Sequence, residues 1–426
     1  MTGLTQALDS LSRARRKTLL LCQDLSENAL REQVDQEFSP IGWHLGHIAW
    51  QEECWLQRNL GKMPPLDPER DSLWNSFASE KNQRGPGLPS KDELWSYLHA
   101  VRERTLSLCQ VLDVSLRTIE LFHFIANHER QHTEIMGTVR WLGKLPLEPQ
   151  TSRAQPKEDT QPQEFDTQFC AMPGGEFLMG SAPDDLDAWD NERPLQRVKV
   201  ADFELMRFPV SNRSWLEFML HGGYRERALW DEAGWAWRCS HDVKCPLGWL
   251  EDKDGGWQLW TLHGFERVEP RKPVCHVSWF EARAYARFMG ARLPSEAEWE
   301  FAASHSPAGK RRTPWGDNAN GNHVANWDLQ HWDVTKLGTL PASASYFGAE
   351  QLIGDVWEWT CDEFSAYPGF TPQAYAGYSA PFFDGRHQVA RGGSFLTQPE
   401  IARPSFRTWY TPDQRQPVLG VRLARG

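Results

Sequence analysis

Two histidine-containing segments in the first third of the chain carry the residues with the clearest chemical potential. His128 and His132 are four residues apart in the segment NHERQHTE, so on a helix their imidazoles lie one turn apart on the same face. Two imidazoles so placed can bind one metal ion, but a catalytic ion usually needs a third protein ligand. The upstream segment WHLGHIAW offers that ligand in His44 or His47. The pattern therefore indicates a three-histidine metal site, although an isolated HxxxH pair is also typical of a solvated helix face.

Four helices are predicted around these histidines. Each is indicated by apolar residues at helical spacing or by a capping pattern at its start, such as Ser39-Pro40 and Ser90 with Glu93. The predicted helices cover residues 4–26, 40–60, 90–112 and 116–142. Because residues 61–89 are rich in Pro, Gly and charge, they are expected to form a long connecting loop. Four helices with one long connection form a bundle, and the histidines of the second and fourth helices can meet in its core.

Composition excludes several classes of function. The chain has 426 residues, of which 40% are hydrophobic and 24% charged, with a net charge of −11. It has no run of Lys or Arg that could follow a phosphate backbone, so nucleic-acid binding is not expected. No segment approaches 18 uninterrupted apolar residues and no secretion signal opens the chain, so we expect a cytoplasmic protein without a membrane span. The 22 Trp residues suggest pockets with aromatic walls or a Trp-rich irregular fold.

A change in composition and in predicted secondary structure divides the chain into two domains. Residues 148–165 are dense in Pro, Gln and charge and are predicted to be a linker between a first domain, 1–147, and a second, 166–426. The second domain shows short strands between Gly-rich turns, for example at 197–200 and 387–390. Two helices are marked by capping boxes and start after Ser278 and Ser295. These features predict an α+β domain, so the whole chain is expected to be an α+β multidomain protein.

The eight cysteines do not form a recognisable ligand or disulfide pattern. They are scattered through the chain without a CxxC pair, which in a reducing compartment is typical of buried small side chains. Cys239 and Cys245 are the closest pair, and no cluster of Cys or His around them indicates a structural zinc site.

Six motifs of the second domain, in order, resemble the sulfatase-modifying-factor family, which is related to formylglycine-generating enzyme and has a C-type-lectin-like fold. They are MPGGEFLMGS at 172–181, NERP at 191–194, RLPSEAEWE at 292–300, GDVWEW at 354–359, RGGSF at 391–395 and GVRL at 420–423. The first domain, with WHLGH at 43–47 and HERQH at 128–132, resembles a DinB-type metal-binding bundle. The two domains in this order resemble the ergothioneine sulfoxide synthases and the closely related selenoneine synthases.

The resemblance implies a reaction and a set of site residues. In that family, iron(II) held by three histidines uses dioxygen to join sulfur or selenium to the imidazole of hercynine, which is Nα-trimethylated histidine. The motif match places the iron ligands on His47, His128 and His132, and makes His44 a packed or supporting histidine. It also places Gln131 where the family has a side chain that hydrogen-bonds the hercynine imidazole.

Further positions follow from the same resemblance. Thr408 and Trp409 fall where the family has an Asn-Trp pair at the hercynine pocket, so Thr408 departs from the pattern. Tyr375 and Tyr378 match a family segment with two tyrosines three residues apart, and Tyr375 is expected to be the proton donor with Tyr378 as its neighbour. The trimethylammonium group of hercynine has no N–H to donate and is well accommodated by aromatic faces such as that of Trp409.

The donor pocket departs from the branch that uses γ-glutamylcysteine. That branch has an Asp directly after the Asn-Trp pair and an Arg four residues later, and this chain has Tyr410 and Gln414 at those positions. Loss of a carboxylate and a guanidinium removes charged contacts worth about 1.5–3 kcal/mol each, although Arg84 or Arg415 remains available to an anionic donor. The substitutions favour a neutral, hydroxyl-rich donor, so a selenosugar and selenoneine synthesis are expected, with cysteine or γ-glutamylcysteine and ergothioneine synthesis as the alternative.

Other classes of function remain open at this stage. A formylglycine-generating enzyme would need a reactive cysteine pair near its C-terminus, and the last cysteine here is Cys361. A zinc-dependent DinB-type thiol transferase would use the same three histidines, since the sequence does not separate zinc from iron. A binding module is the third alternative, with a lectin-like domain that recognises a sugar or peptide and a metal that serves structure alone.

Overall fold

The chain divides into two compact units, Met1–Leu147 and Glu148–Gly426. The computed structural model describes residues 3–147, 167–316, 324–373, 375 and 377–426, and the predicted linker at 148–165 lies outside them. None of the helices in these ranges is both long enough and apolar enough to cross a bilayer. All eight cysteines are in these ranges and none forms a disulfide bond.

The first unit is helical. Helix α3 continues directly into a π-helical segment, Glu53–Leu60. The helices are α1 Gly3–Cys22, α2 Glu27–Arg31, α3 Ile41–Glu52, α4 Asp71–Trp74, α5 Lys81–Arg84, α6 Lys91–Leu108 and α7 Leu116–Leu142.

Local capping explains where the long helices begin. Ser90 caps α6, and the carboxylate of Glu93 accepts the Ser90 backbone N–H in return, as predicted. The predicted cap at Ser39 is wrong. Pro40 occupies the cap position of α3 without a side-chain hydrogen bond, and the Ser39 hydroxyl accepts a hydrogen bond from Arg84 instead. The predicted loop 61–89 contains the short helices α4 and α5.

The long helices pack on one another through an apolar cluster and a buried ionic network. Helix α7 packs against α1 and α3, with the apolar cluster formed by Ala7, Leu11, Leu56, Leu121, Phe122, Ile125 and Ala126. Arg15 of α1 pairs with Glu129 of α7 at 2.7 Å and with Glu52 of α3 at 3.2 Å. Arg102 of α6 pairs with Glu52 at 2.9 Å. Two guanidinium and two carboxylate groups therefore balance one another inside the bundle and join four helices.

The second unit combines small sheets with four α-helices in its described residues. Its strands are β1 Phe169–Met172, β2 Gly175–Met179, β3 Gln196–Val200, β4 Phe203–Met206, β5 Trp249–Glu251, β6 Trp257–Thr261, β7 Gly264–Arg267, β8 His305–Ser306, β9 Gly309–Lys310, β10 Trp357–Glu363, β11 Gln388–Arg391, β12 Thr408–Tyr410, β13 Leu419–Gly420 and β14 Ala424–Arg425. Its helices are α8 Asn212–Leu220, α9 Glu232–Ser240, α10 Trp279–Phe288 and α11 Glu296–Ser304.

The sheets of this unit are antiparallel except for one strand pair. Their strand orders are β1-β4-β14, β12-β11-β10-β13, β2-β3, β5-β6-β7 and β8-β9, with β10 and β13 parallel. The predicted strands at 197–200 and 387–390 correspond to β3 and β11. Helices α10 and α11 start at the predicted capping boxes of Ser278 and Ser295. The α+β prediction is therefore correct.

The last strand of the unit, β14, completes the sheet that the first strand begins. β14 pairs with β4, which also pairs with β1, so the first and last strands of the unit flank one central strand. Just before β14, the fully buried Arg422 pairs with Glu358 of β10 at 2.8 Å and donates to the backbone carbonyl of Met206 at 2.9 Å. The residues at 419–424 are buried and are thus an integral part of the core.

Candidate metal centre

Helices α3 and α7 bring three histidines together. His47 lies on α3, and His128 and His132 lie one turn apart on α7. One ring nitrogen of each lies within 4.8 Å of the corresponding nitrogens of the other two. The ring centroids are 4.5 to 5.2 Å apart. The predicted meeting of the second and fourth helices at a three-histidine group is therefore present in the structure.

Backbone and aromatic contacts orient His47. Its Nδ1–H donates to the carbonyl oxygen of Trp74 at 2.6 Å, which leaves the Nε2 lone pair available to a metal. The indole of Trp43 stacks on the imidazole, with centroids 4.6 Å apart and planes 15° apart. Gly46 allows this arrangement, because a Cβ there would lie 2.2 Å from the Trp74 ring.

His44 contacts the metal group without being part of it. Its Nδ1 lies 2.8 Å from Nδ1 of His132, a hydrogen bond that requires one of the two nitrogens to carry the proton. When His132 uses Nε2 as a ligand and donates from Nδ1, His44 accepts at Nδ1 and carries its own proton on Nε2. This placement agrees with a supporting role for His44.

Burial keeps all four imidazoles neutral. It lowers the pKa of His47 to about 4 and that of His44 to about 3, and it lowers the pKa values of His128 and His132 well below 6.5. Neighbouring positive charge lowers them further. Neutral imidazoles have the lone pair that a metal needs, so three of them fit a divalent ion such as iron(II) or zinc and leave positions open for other ligands.

An orphaned ring nitrogen supports the same fit. Among the described residues, Nδ1 of His128 and Nε2 of His44 are both buried without a hydrogen-bond partner. An unpaired buried polar atom is costly unless a ligand or water satisfies it, and for His128 a metal could be that ligand. The helix spacing, the neutral rings and the unsatisfied nitrogen together meet the requirements of a metal ligand set.

Arg84 lies close to this group but is held by internal contacts. Its guanidinium stacks on Trp43 at 3.8 Å and donates hydrogen bonds to the Ser39 hydroxyl and to the carbonyls of Ser76 and Ser79. Burial lowers its pKa to about 10. An anionic donor bound by Arg84 would have to displace some of these contacts, and donor binding stays a prediction. Gln131 precedes His132 on α7 and is partly exposed.

The predicted hercynine-pocket residues of the second unit form part of an aromatic cluster. Trp409 lies on β12 beside Thr408. Its indole stacks on Phe364 with centroids 4.1 Å apart and meets Tyr378 and Phe382 at 5.5 and 5.3 Å. We call these four rings the Trp409 cluster. The structure thus brings Tyr378 and Trp409 together, as a shared pocket requires.

The remaining predicted residues have their own partners. Tyr375 is partly exposed and its carbonyl accepts the backbone N–H of Tyr378 at 3.1 Å. Tyr410 meets Trp359 edge-on at 6.1 Å. The side-chain oxygen of Gln414 accepts the backbone N–H of Thr411 at 3.1 Å. Arg415 donates to Glu281 at 3.2 Å and to a backbone carbonyl, so this alternative donor contact is also engaged internally.

Two groups that contact predicted site residues were not predicted from the sequence. The carbonyl of Trp74 orients His47, yet Trp74 lies in the segment expected to be a loop, and a backbone acceptor carries no side-chain signal. Trp189 stacks on Tyr378 with centroids 3.9 Å apart, and it lies two residues before the NERP motif at 191–194. A Trp next to a family motif is a signal that could have identified it.

Comparison with known proteins covers both units. Residues 154–426 match the sulfatase-modifying factor enzyme 1-like domain and residues 10–136 match the DinB superfamily. The chain is 40% identical over 421 residues to the hercynine oxygenase of Mycolicibacterium thermoresistibile, with 96% of this chain and 92% of that one covered. It is 38% identical to the hercynine oxygenase of Mycobacterium tuberculosis over 100% and 99% of the two chains. It is 32% identical to the formylglycine-generating enzyme of Thermomonospora curvata, over 62% of this chain and 95% of that one.

Proposed function

Because the chain belongs to the family of the hercynine oxygenases, we propose that this oxygenase modifies hercynine by joining sulfur to its imidazole. A DinB-type helical domain and a sulfatase-modifying-factor domain of C-type-lectin-like fold make up the chain. The observation that carries the proposal is the convergence of His47, His128 and His132 in the unit of the chain that such an enzyme would use to hold its metal.

Iron(II) is the proposed cofactor. His47, His128 and His132 would hold it, and a bound iron(II) would supply the activation of dioxygen. Trp74 and His44 keep two of these imidazoles in the orientation that presents a lone pair to the ion. A zinc ion would fit the same donors, so the metal must be identified by turnover rather than by binding.

Substrate contacts are proposed for the residues that the sequence analysis assigns to them. The Trp409 cluster offers several aromatic faces to the trimethylammonium group, an interaction worth about 0.5–2 kcal/mol. Gln131 is proposed to hydrogen-bond the hercynine imidazole, and Thr408 to line the pocket. Tyr375 is proposed as the proton donor of the reaction, with Tyr378 as its neighbour.

A thiol is the proposed donor. The curated relatives support the sulfur alternative better than the selenosugar that Tyr410 and Gln414 had favoured. Both residues make contacts inside the protein, so their departure from the charged pattern does not by itself require a sugar. Cysteine and γ-glutamylcysteine are therefore the first candidates.

Anaerobic reconstitution with iron(II), followed by exposure to oxygen with hercynine and one donor at a time, tests the proposal. Cysteine, γ-glutamylcysteine and a selenosugar are compared by mass spectrometry of the products and by oxygen consumption, with zinc-loaded protein as a control. A sulfur adduct that requires both iron and oxygen is expected. A faster selenium adduct would overturn the thiol donor, and absence of any adduct would favour the thiol-transferase or binding-module alternative.

His128→Ala links the reaction to the metal. We expect loss of bound iron and of turnover together, since two imidazoles bind a divalent ion much more weakly than three. His99→Ala is the matched control, because His99 is an exposed residue of α6 outside the group. Iron content by elemental analysis and product yield are measured on the same samples. An active, iron-loaded His128→Ala variant would contradict the assignment.

A further inference from the structure

A buried carboxylate in the second unit faces the segment that carries the two predicted catalytic tyrosines. Asp190 opens a short 3-10 turn, Asp190–Glu192, and is fully buried. Among the described residues it makes no ion pair, and its side chain accepts hydrogen bonds from the Ser379 hydroxyl and from the Gln373 backbone N–H, the latter at 3.4 Å. Both donors belong to the segment 373–379, which contains Tyr375 and Tyr378.

The neighbours of Asp190 hold the same segment. The Gln373 side chain donates to the carbonyl of Ala188 at 3.2 Å, and the Asn191 side chain donates to the Ser379 hydroxyl at 3.0 Å. Trp189 stacks on Tyr378, with ring planes 18° apart. Residues 188–191 therefore contact the segment at both of its ends and at one of its two tyrosines.

Placing a carboxylate here is energetically expensive. Burial raises the pKa of Asp190 above its ordinary value, and the hydrogen bonds with Ser379 and Gln373 oppose that rise. A buried carboxylate without a cation must recover its lost hydration from hydrogen bonds. Besides a hydrogen bond with the backbone of the adjacent Asn191, the carboxylate bonds to Ser379 and Gln373, which lie more than 180 positions away in the chain. Part of the compensation therefore comes from one distant segment.

We propose that Asp190 is a positioning residue that holds Gln373 and Ser379 in place and thereby sets the orientation of Tyr375 between them. The proposal rests on the proposed function for the role of Tyr375, but its structural part is independent of it. Between the fixed ends, the backbone N–H of Tyr378 bonds to the carbonyl of Tyr375, so a displacement of Ser379 or Gln373 is transmitted to the tyrosine.

Asp190→Asn is the first variant to test. An amide keeps the shape of the side chain but removes the negative charge. With its oxygen on the Gln373 N–H, its NH2 group faces Ser379, so the Ser379 hydroxyl can no longer donate there and must accept beside the hydrogen bond that it already takes from Asn191. Ser379→Ala removes the hydroxyl from the other side and keeps the proposal testable when Asp190→Asn folds poorly. Asp185→Asn is the matched control, because Asp185 also accepts one hydroxyl and one backbone N–H, from Ser181 and Asp187 in its own turn.

Hydrogen exchange measured by mass spectrometry decides the structural part without any turnover. We expect peptides that contain 373–379 to exchange at least about tenfold faster in Asp190→Asn and in Ser379→Ala, with strands β1 and β4 unchanged. Asp185→Asn should leave that peptide as in the wild type. Unchanged exchange of 373–379 in both test variants would overturn the proposal. A wild type that does not oxidise hercynine would refute the proposed function, whereas the exchange result would still decide whether Asp190 fixes the segment.

Kinetics then test the connection to Tyr375. In Asp190→Asn, kcat is expected to fall about 10- to 100-fold with little change in the KM for hercynine, because misplacement of a proton donor affects the chemical step. In a Tyr375→Phe background, Asp190→Asn should lower kcat little further, because the hydroxyl that Asp190 positions is already absent. Multiplication of the two losses in the double variant would refute the assignment.

Discussion

Gly46→Ala is expected to weaken both the fold and the metal centre through a single methyl group. A Cβ at position 46 would lie 2.2, 2.4 and 2.5 Å from three carbons of the Trp74 ring. Ordinary contact begins near 3.4 Å, so the ring must retreat by about 1 Å. Trp74 is only 1% exposed and has little space to move, and its carbonyl orients His47.

The expected magnitude combines opposing terms. Overpacking of a well-packed core costs about 1–3 kcal/mol, whereas replacement of Gly by Ala inside helix α3 gains about 1 kcal/mol of helix propensity. The net loss in the free energy of unfolding is therefore at most about 2 kcal/mol. Because displacement of a group that orients a metal ligand typically costs 10- to 100-fold in affinity, metal binding is the more sensitive quantity.

Two measurements and one background variant test this reasoning. Denaturant unfolding gives the stability of the metal-free protein, and competition with a chelator gives the metal affinity. In a Trp74→Leu background the ring is absent, so Gly46→Ala should there gain about 1 kcal/mol from helix propensity alone. A Gly46→Ala protein with wild-type metal affinity and wild-type stability would refute the idea that Trp74 holds His47 in place.

Two further predictions concern stability. Burial lowers the pKa of His276 to about 4 from an ordinary value of 6.5. As pH falls, the imidazole is therefore protonated in the unfolded chain before it is protonated in the folded one. The free energy of unfolding should decrease by about 3 kcal/mol between pH values of about 7 and 4. His276→Asn, which suits the positive φ of 60° there, should remove that part of the pH dependence in unfolding curves; an unchanged slope would contradict it. Glu129→Gln leaves Arg15 of the buried network with Glu52 as its carboxylate partner. It should lower the free energy of unfolding, measured with denaturant, by about 3 kcal/mol. Glu120→Gln, a change on the exposed side of the same helix, is its control, and equal stability of the two variants would show that the network contributes little.

The features that are predictable from the sequence have local determinants. The Ser90 and Ser295 capping boxes specify helix starts within four residues, and the i, i+4 spacing of His128 and His132 specifies their common face. These are features that neighbouring residues decide. The convergence of His47 with that pair is instead an expectation about proximity in a four-helix bundle, and it depends on the packing of α3 against α7.

Other features depend on residues far apart in sequence and could not be predicted in this way. Ser39 resembles a helix cap, but its hydroxyl is engaged by Arg84, 45 positions later. The π-helical turn after α3 is stabilised by tertiary contacts such as that of Tyr97 with Glu53. The hydrogen bond between Asp190 and Ser379 joins residues 189 positions apart, so no local sequence pattern predicts it.

The pairing of β14 with β4 has a consequence for synthesis on the ribosome. β14 and Arg422 are made after nearly every other described residue, yet the sheet and the buried ion pair of the second unit require them. The unit spans 279 residues, 148 to 426, so at about 5–20 residues per second its completion takes roughly 14 to 56 s after the first unit is finished. During that interval the helical unit, whose three candidate ligand histidines all precede residue 133, is already complete as a chain while the second unit is not.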